Sequence, residues 1–107
     1  MRLALLSDVH GNLAALEAVL ADVRRRGVDG VVVLGDLAFK GPWPGECVDA
    51  IRALPPLAVI QGNTDEWLVA GLPERFRPDE PAGSLMHRSR AWALERLGAD
   101  RLRYLGG

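Results

Sequence analysis

Three short apolar runs near the start of the chain each end in a group of polar residues and glycines. The runs are residues 2–7, Val31–Leu34 and Leu57–Ile60. The second run is aliphatic throughout, without polar alternation, which predicts a strand covered on both faces as in parallel sheets. The three runs therefore predict strands, and the polar groups mark the carboxyl ends of those strands.

Two amphipathic segments separate the apolar runs. Residues 12–26 have apolar side chains at helical spacing and precede Gly27, a typical C-terminal cap. Residues 46–54 form a second apolar stripe, which Pro55 and Pro56 end. This order of elements predicts an α/β fold, with a parallel βαβαβ core and right-handed crossovers. Ligands of such sheets bind beyond the carboxyl ends of the strands.

The remaining residues have a weaker pattern. Residues 66–72 favour a short helix, and a proline-rich loop over residues 73–83 precedes a longer helix that Gly98 breaks. We divide the chain into the βαβαβ core, residues 1–72, and a loop and helical extension of the same domain, residues 73–107.

Composition excludes several classes of function. The 107 residues have a formal net charge of −1, which predicts no general affinity for nucleic acid. No apolar stretch approaches the ~20 residues of a membrane span, so no membrane partner is expected. The single cysteine, Cys47, rules out an internal disulfide and is expected to be a buried structural thiol. With no signal peptide recognisable, we expect a cytoplasmic protein.

The polar groups after the predicted strands contain potential metal ligands. If the first strand stays extended to His10, the side chains of Asp8 and His10 leave it on the same side and can hold one cation. These two residues alone are more typical of a solvated loop. Asp36 and Asn63, at the ends of the next two strands, favour the metal site. Carboxylate, imidazole and amide ligands suit Mn²⁺, Fe, Zn²⁺ or Ni²⁺, and a metal pair ~3.5–4 Å apart would activate water for attack on a phosphate.

Three motifs together resemble a known family. Asp8-Val9-His10, Gly35-Asp36 and Gly62-Asn63-Thr64-Asp65 are similar to the opening Asp-x-His, Gly-Asp and Gly-Asn-His-Asp/Glu motifs of the calcineurin-like metallophosphoesterase superfamily. Residues 40–42 and 44–47 resemble a bacterial phosphodiesterase branch of that superfamily. The resemblance implies a metal-dependent phosphoesterase, a phosphodiesterase acting on phosphate-ester substrates with two divalent ions as cofactor.

The resemblance also implies roles for individual residues. Asp8 and His10 would bind the first metal, Asp36 would bridge the two metals, and Asn63 would bind the second. Asp65 would orient these ligands without binding a metal itself.

Asn12 and Asn63 are the implied contacts to the substrate phosphate. For Asn12, capping of the following helix is at least as good an explanation. Thr64 departs from the family pattern, because many members have a histidine there that is proposed to protonate the leaving group. A threonine cannot do so near neutral pH, which favours better leaving groups, a water relay or weak activity.

Further histidine ligands implied by the family do not appear in these residues. The only other histidine is His87, which we expect on the surface of a helix rather than at a metal. The two-metal site is therefore expected to be incomplete in this chain. The alternative function is a catalytically inactive module that binds a metal or a phosphate.

The family's second sheet is also missing from the predicted elements. A three-stranded sheet alone would expose apolar surface and an edge strand, so we expect a homo-oligomer. The other possibility is that the sequence is a piece of a longer protein. A nucleotide-binding doubly wound domain is poorly supported, because no glycine-rich phosphate-binding motif follows the first strand.

Overall fold

Three parallel strands form a single sheet in the computed structural model, which describes residues 1–107. The elements in chain order are β1 (Leu3–Leu6), α1 (Leu13–Arg26), β2 (Gly30–Val33), α2 (Pro44–Arg52), β3 (Ala58–Val59), α3 (Asn63–Ala70) and α4 (Pro81–Leu105). The strand order is β1-β2-β3, and both pairings are parallel. The predicted α/β class, a parallel βαβαβ core followed by helices, is confirmed.

One face of the sheet carries the core. Leu6 pairs with Val33, so their side chains lie on the same face, and both are buried. They join a single hydrophobic cluster with buried residues of every helix, including Leu16, Leu20, Val48, Ile51, Leu68, Ala93 and Leu97. The helices therefore cover the sheet from this side.

The opposite face of the sheet is largely open. Leu5 is 64% exposed, and Leu34 and Ile60 are also exposed. The prediction that the run Val31–Leu34 is covered on both faces is therefore wrong. Val31 and Val33 are buried, but the helices pack against their side alone and leave the Leu34 side uncovered.

The first two helices begin and end at the residues that favour these positions. The Oδ1 atom of Asn12 accepts a hydrogen bond from the Ala15 amide at 3.1 Å, so Asn12 is the N-cap of α1. Gly27 ends α1 with a left-handed φ of 62°, as predicted. Helix α2 begins at Pro44 rather than at Glu46, because a proline fits the first turn of a helix, where its missing N–H has no partner.

The last two helices begin earlier than the sequence predicts. Helix α3 begins at Asn63 rather than at Glu66, because the Asp65 carboxylate accepts a hydrogen bond from the Gly62 amide at 2.9 Å and closes the first turn. Helix α4 begins at Pro81, inside the predicted loop. At Gly98 its backbone is not helical (φ 74°, ψ 171°), so the predicted break is confirmed.

Helix α4 is joined to α2 and α3 by polar contacts. The Arg101 guanidinium donates to both carboxylate oxygens of Asp49, at 2.9 and 2.8 Å. Arg90 donates to the backbone carbonyls of Trp67 and Leu68, at the end of α3. His87 is exposed on α4, as expected. No helix in the chain is both long enough and apolar enough to cross a membrane.

Cys47 lies on α2 and is fully buried, as predicted. Burial raises the pKa of its thiol to about 11, and the neighbouring Glu46 and Glu17 carboxylates add to this shift. The thiol is therefore protonated at neutral pH, which fits a packing role and not that of a nucleophile.

Candidate metal centre

Three potential metal ligands meet where β1 and β2 end. One ligand atom each from Asp8, His10 and Asp36 lies within 4.8 Å of the others. Two atoms that bind the same first-row ion at ~2.1 Å are at most ~4.2 Å apart, so these three can close on one ion by moving about half an ångström. The parallel pairing of β1 and β2 is what brings their carboxyl ends to the same edge.

The route by which these side chains converge differs from the prediction. The first strand does not stay extended, because β1 ends at Leu6 and the residues Asp8 and His10 have φ values of 58° and 48°. Asp36 has a φ of 59°. Each of these left-handed residues costs ~1–2 kcal/mol relative to ordinary backbone. Strain of this kind persists only where surrounding contacts impose it.

Backbone hydrogen bonds between the two loops impose this conformation. The Asp8 amide donates to the Gly35 carbonyl at 3.2 Å, and the His10 amide donates to the Asp36 carbonyl at 2.8 Å. The Gly11 amide then donates to the Leu37 carbonyl at 2.9 Å. Three backbone hydrogen bonds thus join the loop after β1 to the loop after β2, and the residues that they hold include Asp8, His10 and Asp36.

Two glycines allow the loops after β2 and β3 to approach each other. A Cβ atom on Gly35 would lie 2.5 Å from the Gly62 nitrogen, and one on Gly62 would lie 2.5 Å from Oδ1 of Asp36. Gly35 also has a φ of 106°, which other residues rarely adopt. A larger residue at either position would push the loop after β3 away from Asp36.

His10 is held in the orientation that a metal ligand requires. Its Nδ1 atom lies 3.1 Å from the Phe39 carbonyl, which can only accept, so Nδ1 carries the proton. The Nε2 lone pair is then free, and it lies 3.3 Å from Oδ1 of Asp8. A lone pair and a carboxylate oxygen repel each other unless a proton or a metal ion lies between them. The pair is therefore arranged to share a cation.

Asp8 is kept ionised by its neighbours. The Ser7 hydroxyl donates to Oδ2 of Asp8 at 2.7 Å, and this hydrogen bond is the main cause that lowers the pKa of the Asp8 carboxyl. A proton on Nε2 of His10 would lower the same pKa further. The carboxylate is consequently negative at neutral pH and available to a cation.

Asp36 lies at the amino-terminal end of α3. Its Oδ1 atom accepts a hydrogen bond from the Thr64 amide at 3.0 Å and another from the Thr64 hydroxyl at 2.6 Å. The free amides of a helix N-terminus favour a negative charge. Oδ2 of Asp36 accepts no hydrogen bond from the protein, so this oxygen is the one free to bind a metal.

Asp65 is almost completely buried beneath Asp36. Its carboxylate accepts from the amides of Asp36 and Leu37, at 2.7 and 2.9 Å, as well as from Gly62. Its side chain therefore ties the start of α3 to the loop after β2. This contact sets the position of the Asp36 backbone.

The two asparagines of the predicted site lie at its margins. Asn63 is exposed at the first position of α3, next to Thr64, and its side chain makes no hydrogen bond within the protein. Asn12 caps α1 and also lines a cavity of ≈ 260 Å³ that includes Ser7 and Asp8 in its wall. A ligand in that cavity would contact both Asn12 and Asp8.

Comparison with known proteins assigns the family. The family model for calcineurin-like phosphoesterases matches residues 1–104. The chain belongs to this family.

Among the relatives of this chain is an uncharacterised protein of Methanocaldococcus jannaschii, 48% identical over 63 residues. The alignment covers 59% of this chain and 26% of that protein. A class 3 fructose-1,6-bisphosphatase of Lactococcus lactis subsp. cremoris is 39% identical over 62 residues, which is 56% of this chain and 10% of the relative.

A solved structure is also similar over the whole chain. The crystal structure of a metallophosphoesterase from Sphaerobacter thermophilus superposes with a TM-score of 0.76 at 38% identity. The match covers 100% of this chain and 40% of that one. The chain thus spans less than half the length of this relative.

Three contacts of the candidate metal centre are not evident from the sequence. These are the Phe39 carbonyl on His10, the Ser7 hydroxyl on Asp8 and the Thr64 hydroxyl on Asp36. The role of Thr64 could have been found from the sequence if the start of α3 had been placed correctly. Thr64 lies two residues after the N-cap Gly62, and so in the first turn of the helix, where its amide is free to donate.

Proposed function

We propose that this protein is a metal-dependent phosphoesterase, and more specifically a phosphodiesterase that uses water activated by two metal ions, in a site of which these 107 residues supply a part. The observation that carries the proposal is the convergence of Asp8, His10 and Asp36 within 4.8 Å, with the Nε2 atom of His10 directed at Asp8. The ligand set suits Mn²⁺, Ni²⁺, Fe or Zn²⁺.

The roles proposed for the ligands follow from their contacts. Asp8 and His10 would hold one ion together with Asp36, whose Oδ2 atom Thr64 leaves free. Asn63, at the start of α3, would bind the second ion, which Asp36 would bridge to the first. Bound divalent ions would polarise the phosphate ester and activate water.

The remaining residues position the ligands and the substrate. Asp65 and Thr64 hold the Asp36 backbone and carboxylate, and the Phe39 carbonyl holds the His10 ring. Asn12 and Asn63 are the proposed contacts to the substrate phosphate. Since Asn12 already accepts a hydrogen bond through Oδ1, its amide N–H groups are the donors left for a phosphate oxygen.

The identity of residue 64 supports a particular class of ester. The Thr64 hydroxyl donates to Asp36 and cannot protonate a leaving group near neutral pH. The site therefore suits esters whose leaving group departs without an acid. The similarity of residues 40–47 to a phosphodiesterase branch supports diesters over monoesters.

Calorimetric titration with Mn²⁺ and hydrolysis of bis(p-nitrophenyl) phosphate test the proposal. We expect metal binding and weak hydrolysis, both lost in Asp36→Asn and both kept in Asp22→Asn, which changes a carboxylate on α1 that is paired with Arg25 and Arg26. Metal binding without hydrolysis would favour the alternative, a non-catalytic metal- or phosphate-binding module. No metal binding by the unaltered protein would contradict the phosphoesterase and leave a phosphate-binding module as the alternative.

Three further proposals concern the setting of the site. We propose that residues 73–107 belong to the same domain as residues 1–72, supported by the packing of α4 against α2 and α3.

We propose a cytoplasmic location, supported by the unpaired, buried Cys47. The open face of the sheet supports self-association.

A further inference from the structure

A second cavity lies beside the metal-binding loops, and none of the roles above uses it. It has a volume of ≈ 340 Å³ and lies between the loop that follows β2 and one side of α4. Its walls include Lys40 and Gly41 from the loop, and Arg88, Ser89 and Trp92 from α4. We call it the Lys40–Trp92 cavity.

The cavity is connected to the metal centre through its loop. The Phe39 carbonyl holds the His10 ring, and Lys40 is the next residue along the chain. Gly41 packs on the His10 backbone so closely that a Cβ atom would collide with the His10 carbonyl oxygen. One short segment therefore forms both the support of a metal ligand and a wall of the cavity.

The cavity is positively charged. Lys40 and Arg88 are exposed at its walls, and no carboxylate lines it. Neither residue forms an ion pair, whereas Arg101 of α4 and Arg52 of α2 are each paired with an aspartate. A pocket that presents two unpaired cations and no acid favours an anionic ligand.

The cavity also offers an aromatic wall. Trp92 is 39% exposed, although tryptophan has the largest apolar side chain. The Arg96 guanidinium lies 4.9 Å from the centre of its ring, and the Trp92 side chain lines the cavity. An exposed indole flanked by cations is a surface on which a planar ring can stack.

Lys40 is held in place at a conformational cost. Its φ is 80°, in the left-handed region that favours glycine. Its ammonium lies 5.7 Å from the centre of the Trp67 ring, and Arg75 lies over the same ring at 5.5 Å. The side chain is thus fixed by a cation–π contact at the rim of the cavity, with its charge unpaired.

We propose that the Lys40–Trp92 cavity is the specificity site for the part of the substrate beyond the reacting phosphate. It binds a group that combines a planar aromatic ring with a negative charge, so the preferred substrates are aromatic or nucleoside esters that carry a second anionic group. This inference rests on the proposed phosphoesterase function for its substrate role. The binding site itself does not require a bound metal.

Binding of adenosine 5′-monophosphate in metal-free buffer, measured by calorimetry and by quenching of tryptophan fluorescence, tests the inference. We expect it to bind about tenfold more tightly than ribose 5-phosphate, which lacks the ring, or adenosine, which lacks the charge. Arg88→Gln and Lys40→Gly should each weaken binding about tenfold. Trp92→Leu should abolish the preference over ribose 5-phosphate.

Lys40→Gly keeps the test independent of folding, because glycine relieves the left-handed backbone at this position. Its melting temperature should equal or exceed that of the unaltered protein. Arg24→Gln, at an exposed arginine on α1, is the matched control and should leave binding unchanged. Equal affinity for the three probes, or unchanged affinity in Arg88→Gln and Lys40→Gly, would overturn the inference.

A parallel Mn²⁺ titration separates this inference from the proposed function. Mn²⁺ binding with no affinity for the nucleotide would overturn the inference alone. Nucleotide binding that depends on Arg88 and Lys40, in a protein that binds no Mn²⁺, would overturn the phosphoesterase proposal and support the cavity as a ligand site.

Discussion

At the scale of single residues, Thr64 and Asp65 show how a site is positioned by groups that need not touch a metal. Both lie in the first turn of α3, where backbone amides have no partners within the helix. Thr64 contributes an amide and a hydroxyl to Asp36, and Asp65 accepts from the Asp36 backbone. The first turn of α3 therefore holds both the carboxylate and the backbone amide of Asp36, one of the proposed metal ligands.

Replacing Thr64 by valine removes the hydroxyl and keeps the side-chain shape. Oδ1 of Asp36 then loses its shorter hydrogen bond, and Mn²⁺ affinity should fall about tenfold, as for other groups that orient metal ligands. Calorimetric titration measures the change. Thr64→Ser retains the hydroxyl and should bind Mn²⁺ like the unaltered protein, so equal losses in both variants would contradict the role given to the hydroxyl.

Replacing Asp65 by asparagine should destabilise the fold. The carboxylate is 1% exposed and accepts three backbone hydrogen bonds, whereas an amide has one acceptor oxygen and presents its NH₂ group to at least one buried donor. We expect a loss of about 2 kcal/mol or more in the free energy of unfolding, measured by urea denaturation. Glu66→Gln, an exposed neighbour on α3, is the control and should change stability little; similar losses in both would refute this role.

At the scale of elements, the contact between α2 and α4 depends on paired charges as well as on apolar packing. Arg101 binds Asp49 with two hydrogen bonds, and Arg52 binds Asp100 at 2.9 Å. The Arg101 guanidinium is the main cause that lowers the pKa of the Asp49 carboxyl from its usual 3.8. These pairs orient the carboxyl-terminal half of α4 against α2.

This pairing predicts a dependence of stability on pH. Because the pKa of Asp49 is lower in the folded state, its contribution is fully present above about pH 4 and is lost as the pH falls through the folded-state pKa. Asp49→Asn should reduce the free energy of unfolding by ~0.5–1 kcal/mol at pH 7, since the pair is half exposed.

The difference between Asp49→Asn and the unaltered protein should shrink as the pH is lowered below 3.8, measured by urea denaturation at each pH. Glu95→Gln serves as the control, because its nearest arginine nitrogen is 4.0 Å away. A difference that stays constant from pH 7 to pH 3 would show that the pair does not act through charge.

At the scale of the whole molecule, the sheet is covered on one face only. Leu5 and Ile60, on the open face, are 64% and 53% exposed, and β3 is a two-residue edge strand. Exposed apolar surface beside an unpaired strand edge favours association. We therefore predict that the 107-residue chain forms a homo-oligomer through this face.

Light scattering coupled to size-exclusion chromatography measures this association. Leu5→Lys should shift the protein towards the monomer, because a charge on the open face opposes its burial. Leu85→Lys, at a leucine that is 57% exposed on α4, should leave the mass unchanged. A monomeric unaltered protein would contradict the prediction.

The sequence by itself determines the order of the elements and the identity of the grouped polar residues. Aliphatic runs and amphipathic spacing specify strands and helices locally, and parallel pairing then requires that the groups at Asp8 and Asp36 meet at one edge. Gly27 and Gly98 also act locally, through backbone conformations that favour glycine. These features can be predicted because each depends on residues close together in the chain.

Only the tertiary structure decides how the ligands converge and which sheet face is covered. The left-handed conformations of Asp8 and His10 are imposed by hydrogen bonds to the loop after β2, residues distant in the sequence. The first turn of α3 forms where the Asp65 carboxylate meets amides of that same loop. Burial of Val33 but not Leu34 depends on where four helices pack, which no short segment specifies.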